Sequence, residues 1–227
     1  MNPIIVALDL PRLEEAKTLA RSLVDDVGGF KVGMELLMGA GPAAIEAIAT
    51  LGKPVFVDAK LHDIPNTVER AATRIKSAGA RWVTVHATGG EEMMQAAVEG
   101  MGGDGVLAIT MLTSLSQADL ESIGVPALAS DYVVALASLA ADSRAEGVVC
   151  SAEEIRRVKD KEPSLAVFTP GLRPAASDID DQKRVATPEQ ARADGANFLV
   201  IGRPITRAAD PVTAVRNIAS AIGRFES

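Results

Sequence analysis

A single cysteine, one tryptophan, one tyrosine and two histidines are all that the 227 residues hold of these types. The lone Cys150 excludes a disulfide within the chain, which fits a reducing compartment. His62 and His86 show no H-x-H or H-E-x-x-H spacing, so no metal site is expected. Cations are scarce as well: 23 Lys and Arg against 30 Asp and Glu leave a net charge of −7. That balance argues against a nucleic-acid surface. It leaves room for a small anionic ligand, which a few cations and a helix N-terminus can hold. No run reaches the ~18 apolar residues of a membrane span. The start, "MNPIIVALDLPRLEEAK", has no basic segment and its apolar run is cut by Asp9, so it is not a signal peptide. A cytoplasmic chain without membrane partners is expected. Aromatic residues are only 3% of the chain, which predicts an aliphatic core. Cys150 in "VVCSAEE" is expected to be a small core residue, and Met34, Met38, Met93, Met94 and Met111 core or rim filler.

What is present is a rhythm. Short β-branched runs at 4–9, 30–34, 55–59, 82–87, 105–111, 147–151, 165–171 and 198–202 read as strands. Apolar residues on consecutive positions fit strands buried on both faces of a parallel sheet. Amphipathic stretches lie between them. "LEEAKTLARSLVDDV" places Leu13, Ala16, Leu19, Ala20, Leu23 and Val27 on one face, and other helical stretches end at Gly52, Gly79 and Gly195. Ser151 with Glu154 reads as a capping box. Eight strands alternating with helices predict an α/β protein, a (β/α)8 TIM barrel, formed as one domain over residues 1–227. A doubly wound sheet is the alternative, but "ALDLPRLEEA" after the first strand lacks the glycines of a dinucleotide loop.

Barrel chemistry sits at the C-terminal ends of the strands. Asp9, Lys31, Asp58, Lys60, His86, Thr113, Arg173, Gly202 and Arg203 all fall there. Asp58 and Lys60 are two apart, so on an extended strand they share a face. With Lys31 beside them they form an alternating array that holds Lys60 protonated, suited to protonating a carbanion. Asp-x-Lys alone is equally a structural ion pair; convergence of several charges on one mouth is what points to function. "IGRPIT" at 201–206 is a strand end, a glycine, an arginine and a helix start, a pattern that suits phosphate. The polar loop from Gly171 to Thr187 adds further donors.

"DAKLHDIPNT" resembles the signature of the orotidine 5′-phosphate decarboxylase family, D-x-K-x-x-D followed by I-P-N-T. "ALD", "FKVG", "LTS", "TPGLRP" and "IGRPIT" extend the resemblance over nearly the whole chain. It implies that Lys31, Asp58, Lys60 and Asp63 form the catalytic array, with Lys60 protonating C6 of the pyrimidine as carbon dioxide leaves. It implies that Asp9 binds the ribose, that Thr113 or Ser114 contacts the base, and that Arg173, Gln182, Gly202 and Arg203 hold the phosphate region. It further implies no cofactor, and a homodimer with shared active sites, in which the segment from Asp63 through Ile64 to Thr67 reaches the partner's site. Pro65 would fix the turn before a helix capped near Thr67, and the loop from Gly171 would close over the phosphate. Sugar-phosphate relatives share the bare D-x-K-x-x-D and use a metal-bound enediolate. A catalytically silent nucleotide-binding barrel is the alternative outside enzymes.

Overall fold

The computed structural model describes residues 2–174 and 186–223. Its strands are β1 (Ile4–Ala7), β2 (Gly29–Val32), β3 (Val55–Leu61), β4 (Trp82–His86), β5 (Val106–Ile109), β6 (Gly147–Val149), β7 (Ala166–Thr169) and β8 (Phe198–Ile201). All pair in parallel and in sequence order, and β8 returns to β1, so the sheet closes into a barrel. The helices among the described residues are α1 (Leu13–Leu23), α2 (Met34–Ala40), α3 (Pro42–Ala49), α4 (Pro65–Ser77), α5 (Glu91–Gly100), α6 (Gln117–Ser122), α7 (Ala129–Asp142), α8 (Ile155–Lys161), α9 (Pro188–Ala193), α10 (Arg203–Thr206) and α11 (Pro211–Ala221). The eight expected strands are all present, and the expected (β/α)8 architecture is the one observed.

The pleat sorts each strand into two layers. Ile4 and Val6 pack outward with the helices, whereas Ile5 and Ala7 point into the barrel. The outer layer is aliphatic apart from Phe30 and Tyr132, as the composition predicts. The barrel interior is not: Phe56, Trp82, Phe168 and Phe198 gather there with ring centroids 4.4–5.7 Å apart. An aromatic-poor chain has thus placed four of its seven Phe, Trp and Tyr rings inside the closed barrel. The helix ends follow expectation at Gly52 and Gly79, whose φ values of 73° and 101° give the left-handed closure that side chains resist.

Two local expectations are corrected. Ser151 makes no side-chain bond to a helix backbone; its hydroxyl donates to Glu154 instead, and a 3-10 turn precedes α8. A true capping box forms at Ser116 and Asp119, ahead of α6. Helix α4 starts at Pro65 with Ile64 as N-cap, two residues before Thr67. Proline at the first helical position has its fixed φ pre-set and no N–H to strand.

The barrel floor is held by Glu146. Its carboxylate accepts from Arg81 at 2.8 Å, from the Trp82 indole at 2.9 Å and from the Gly105 backbone N–H at 2.8 Å. It thereby ties the starts of β4, β5 and β6. Glu146→Ala is expected to cost about 3 kcal/mol, or about 6–12 °C in Tm, by stranding these donors. Ligand binding at the opposite end should be unaffected. Calorimetry with a binding titration reads both; an unchanged Tm would contradict the floor's role.

Candidate active site

The same pleat that points Ala7, Phe56, Leu107 and Val200 into the barrel carries inward the next residues along, at the C-terminal rim. Asp9, Lys31, Asp58, Lys60 and Ile109 line a cleft of about 700 Å³ at this mouth, within the usual size for small-molecule sites. Lys31 is buried, and its ammonium lies 2.8 Å from Asp9 and 3.4 Å from Asp58. Lys60 reaches Asp58 at 2.7 Å. The array runs Asp9–Lys31–Asp58–Lys60, with signs alternating, and each buried charge has an opposite neighbour to offset its lost hydration.

Burial raises the Asp58 carboxyl most strongly of any single cause. Lys31, Lys60 and hydrogen bonds from Lys60 and Thr84 together outweigh it, and the net shift is downward. Asp58 is therefore an anion at neutral pH. Burial also lowers His86, assisted by His62 and Lys60 and opposed by Asp58, so His86 is neutral there.

Asp58 and Lys60 meet, but not by simple strand alternation. The pairing of β3 with β4 jumps from Val57↔Val83 to Leu61↔Val85, so four steps on β3 oppose two on β4. Lys60 sits in this bulge with φ of 50°, a conformation that costs a residue with a side chain about 1 kcal/mol or more. Bulges of this kind re-aim side chains at barrel rims. Gly33 completes the packing. A Cβ there would collide with Asp9 Oδ1 and stand 2.7 Å from the Lys31 ammonium, so a side chain at 33 would make the ends of that ion pair shift.

On the far side of the ring, β7 lies four strands from β3. Arg173, Gly202 and Arg203 line the cleft from the ends of β7 and β8, and Gly202 is the N-cap of the short α10. Arg173 is buried. Thr113 joins them after β5. The loop from Gly171 is pinned where it leaves and returns, with Leu172 bridging Ala186 and the Arg173 N–H donating to the Ala186 carbonyl at 3.0 Å. Gln182 lies outside the described residues.

Four expected residues do not join the cleft of their own chain. Asp63, Ile64 and Thr67 are exposed on the segment that leads into α4, and Asp63 accepts from the Ile64 N–H at 2.7 Å. Ser114 is exposed beside Thr113. The cleft also takes in Glu35 and Arg207, which the sequence did not single out, together with Met111, expected as core or rim filler, and Cys150, which is buried as expected yet borders the cleft. Met93, Met94 and Met111 are core, whereas Met34 and Met38 are 41% and 71% exposed. Among the described residues no group of three or more His, Cys, Asp or Glu is placed to hold a metal ion, and no helix is long and apolar enough to cross a membrane.

Residues 2–218 match the model of the family described as Orotidine 5′-phosphate decarboxylase / HUMPS. The chain is 46% identical to the orotidine 5′-phosphate decarboxylase of Paramagnetospirillum magneticum, over 98% of this chain and 99% of that one. It is 48% identical to the protein of the same name from an Anaeromyxobacter species, over 96% and 97%. The crystal structure of orotidine 5′-phosphate decarboxylase from Lactobacillus acidophilus superposes with a TM-score of 0.86 at 35% identity, covering 98% of this chain and 99% of that one.

The array has a pH signature. The native pKa of Asp58 lies below its unfolded value, so its contribution to stability is present above the ordinary carboxylate range. That contribution is lost as pH falls through the native value. Lys31→Met removes the strongest downward influence and should raise the Asp58 midpoint. Carboxyl carbon NMR titration measures this directly; a midpoint no higher than in the wild type would contradict the array.

Proposed function

The chain belongs to the orotidine 5′-phosphate decarboxylase / HUMPS family, and we propose that it converts orotidine 5′-monophosphate to uridine 5′-monophosphate and carbon dioxide in de novo pyrimidine synthesis. The observation that carries the reading is one ammonium, Lys60, held 2.7 Å from a buried anion at a mouth whose far side bears Arg173, Gly202 and Arg203. That layout separates a reacting end from an anion-holding end, as a phosphorylated nucleotide needs.

Breaking the bond from C6 to the carboxylate leaves an electron pair on C6 in the ring plane, where the ring's π system does not delocalise it well. Lys60 supplies the proton that this carbon takes, and solvent returns a proton to Lys60. Asp58 holds the Lys60 ammonium in place at 2.7 Å and stands near the substrate carboxylate. Arg203, Arg173 and the turn at Gly202 grip the phosphate, Gln182 assists them, Asp9 binds the ribose, and Thr113 or Ser114 meets the base. Remote phosphate contacts supply binding energy that can be used at the reacting carbon. The preorganised charges need little rearrangement as the carbanion develops. No cofactor is required on this reading: the buried Asp58 spends one oxygen on Thr84 and the other on the two ammonium groups. The enzyme would act in the cytoplasm, as one barrel domain per chain.

Two such chains would share their sites. Asp63, Ile64 and Thr67 leave their own mouth and lie exposed, with Ile64 66% accessible. The exposed Met34 and Met38 follow the adjacent strand β2. A second copy covering this side would receive Asp63 beside its Lys60, completing the array.

With chelator present, the wild type should convert orotidine 5′-monophosphate, and Lys60→Ala should lose about 10²–10⁴-fold in turnover. No conversion by the folded wild type, or full metal dependence, would sink this reading in favour of sugar-phosphate chemistry. Mixing Lys60→Ala with Asp63→Ala chains should restore activity to about a quarter of wild-type sites, because half the dimers are hybrids with one intact site each. Exchange without recovery would count against a cross-subunit Asp63.

A further inference from the structure

Thr84 lies on β4 beside the bulge, fully buried, and does not line the cleft. Its hydroxyl is used twice. It donates to Asp58 Oδ1 at 3.0 Å and accepts the Lys60 backbone N–H at 2.9 Å. A hydroxyl has one proton to give, and an anionic Asp58 takes it, which leaves a lone pair for Lys60. The two bonds therefore have fixed directions.

This hydroxyl fills the gap where the β3–β4 ladder is interrupted. Without it, the Lys60 N–H would be a backbone donor lacking a partner beside the barrel interior. The strained φ of Lys60 would lose the contact that holds it. Asp58 divides its two oxygens, Oδ1 to Thr84 and Oδ2 to the two ammonium groups. Both ends of the Asp58–Lys60 pair are thus tied to one side chain on the neighbouring strand.

We propose that Thr84 is a positioning residue whose hydroxyl clamps the bulge and sets where the Lys60 ammonium stands relative to the reacting carbon. The catalytic part of this inference rests on the decarboxylase reading above. Valine at 84 keeps the shape and removes both hydrogen bonds; serine keeps both and removes only a methyl group. Thr84→Val should lower kcat about 10- to 100-fold, as expected for stranding a buried donor and a buried acceptor next to the reacting group. KM should change by less than about threefold, because the phosphate contacts across the mouth are untouched. Thr84→Ser should keep turnover within about threefold of wild type on the same argument.

The test is steady-state turnover of orotidine 5′-monophosphate by wild type, Thr84→Val and Thr84→Ser, with hydrogen exchange of the Lys60 amide followed by NMR. Exchange at Lys60 should quicken at least about tenfold in Thr84→Val and not in Thr84→Ser. Wild-type turnover by folded Thr84→Val, equal damage in Thr84→Ser, or unchanged Lys60 exchange in Thr84→Val would each overturn the proposal. If Thr84→Val does not fold, Thr84→Ser carries the test, and turnover below about a tenth of wild type would overturn the proposal. If the wild type itself leaves the nucleotide unchanged, the decarboxylase reading fails, and Lys60 exchange alone then decides the clamp.

Discussion

Two lysines and a carboxylate, held together at the rim of an otherwise apolar barrel, set the terms for the rest of the molecule. Any one of these charges alone would cost several kcal/mol to bury. Together, Lys31, Asp58 and Lys60, with Asp9 at the edge, share counter-charges at 2.7–3.4 Å. That requirement explains features that would otherwise look like faults. The β3–β4 ladder gives up regular pairing, and Lys60 adopts a left-handed backbone. Gly33 leaves free the space that the ends of the Lys31 and Asp9 side chains occupy. Each departure makes room for the array, and a packed barrel supplies the stability that tolerates it.

The two ends of the barrel divide the work. Rings fill the interior below the mouth, and Glu146 ties three strand starts at the floor. None of these groups reaches the cleft except Phe56. Above them the cations are distributed around the ring: the lysines on β2 and β3, and Arg173 and Arg203 beyond β7 and β8. A chain with a net charge of −7 thus presents a locally cationic mouth, which suits an anionic ligand. On the proposed reading, separating an anion-holding end from a reacting end would let binding energy at one be used at the other.

Much of this was legible in the sequence because it is periodic or local. Apolar runs marked eight strands, and Gly52 and Gly79 marked helix ends. Charged residues fell just past the strands, where a barrel gathers them. The bulge was not legible, because positive φ at Lys60 follows from contacts with β4 rather than from any propensity of lysine. Thr84 was hidden for the same reason: a threonine in a strand has high β propensity and carries no sign that its hydroxyl bridges two residues of the next strand. The aromatic interior was misjudged because composition counts rings without saying where they collect. Asp63 and Ile64 could be named from the motif, but one chain shows them only as an exposed segment outside its own cleft.

On the proposed mechanism the Lys60 ammonium, fixed by Asp58 within the bulge, stands where C6 of a pyrimidine nucleotide comes to rest. The most direct measurement is a crystal structure with uridine 5′-monophosphate bound. The account predicts the phosphate between Arg203, Arg173 and the turn at Gly202, and the Lys60 Nζ about 2.6–3.2 Å from C6. A nucleotide bound the other way round, or with C6 facing Asp9 and out of reach of Lys60, would contradict it.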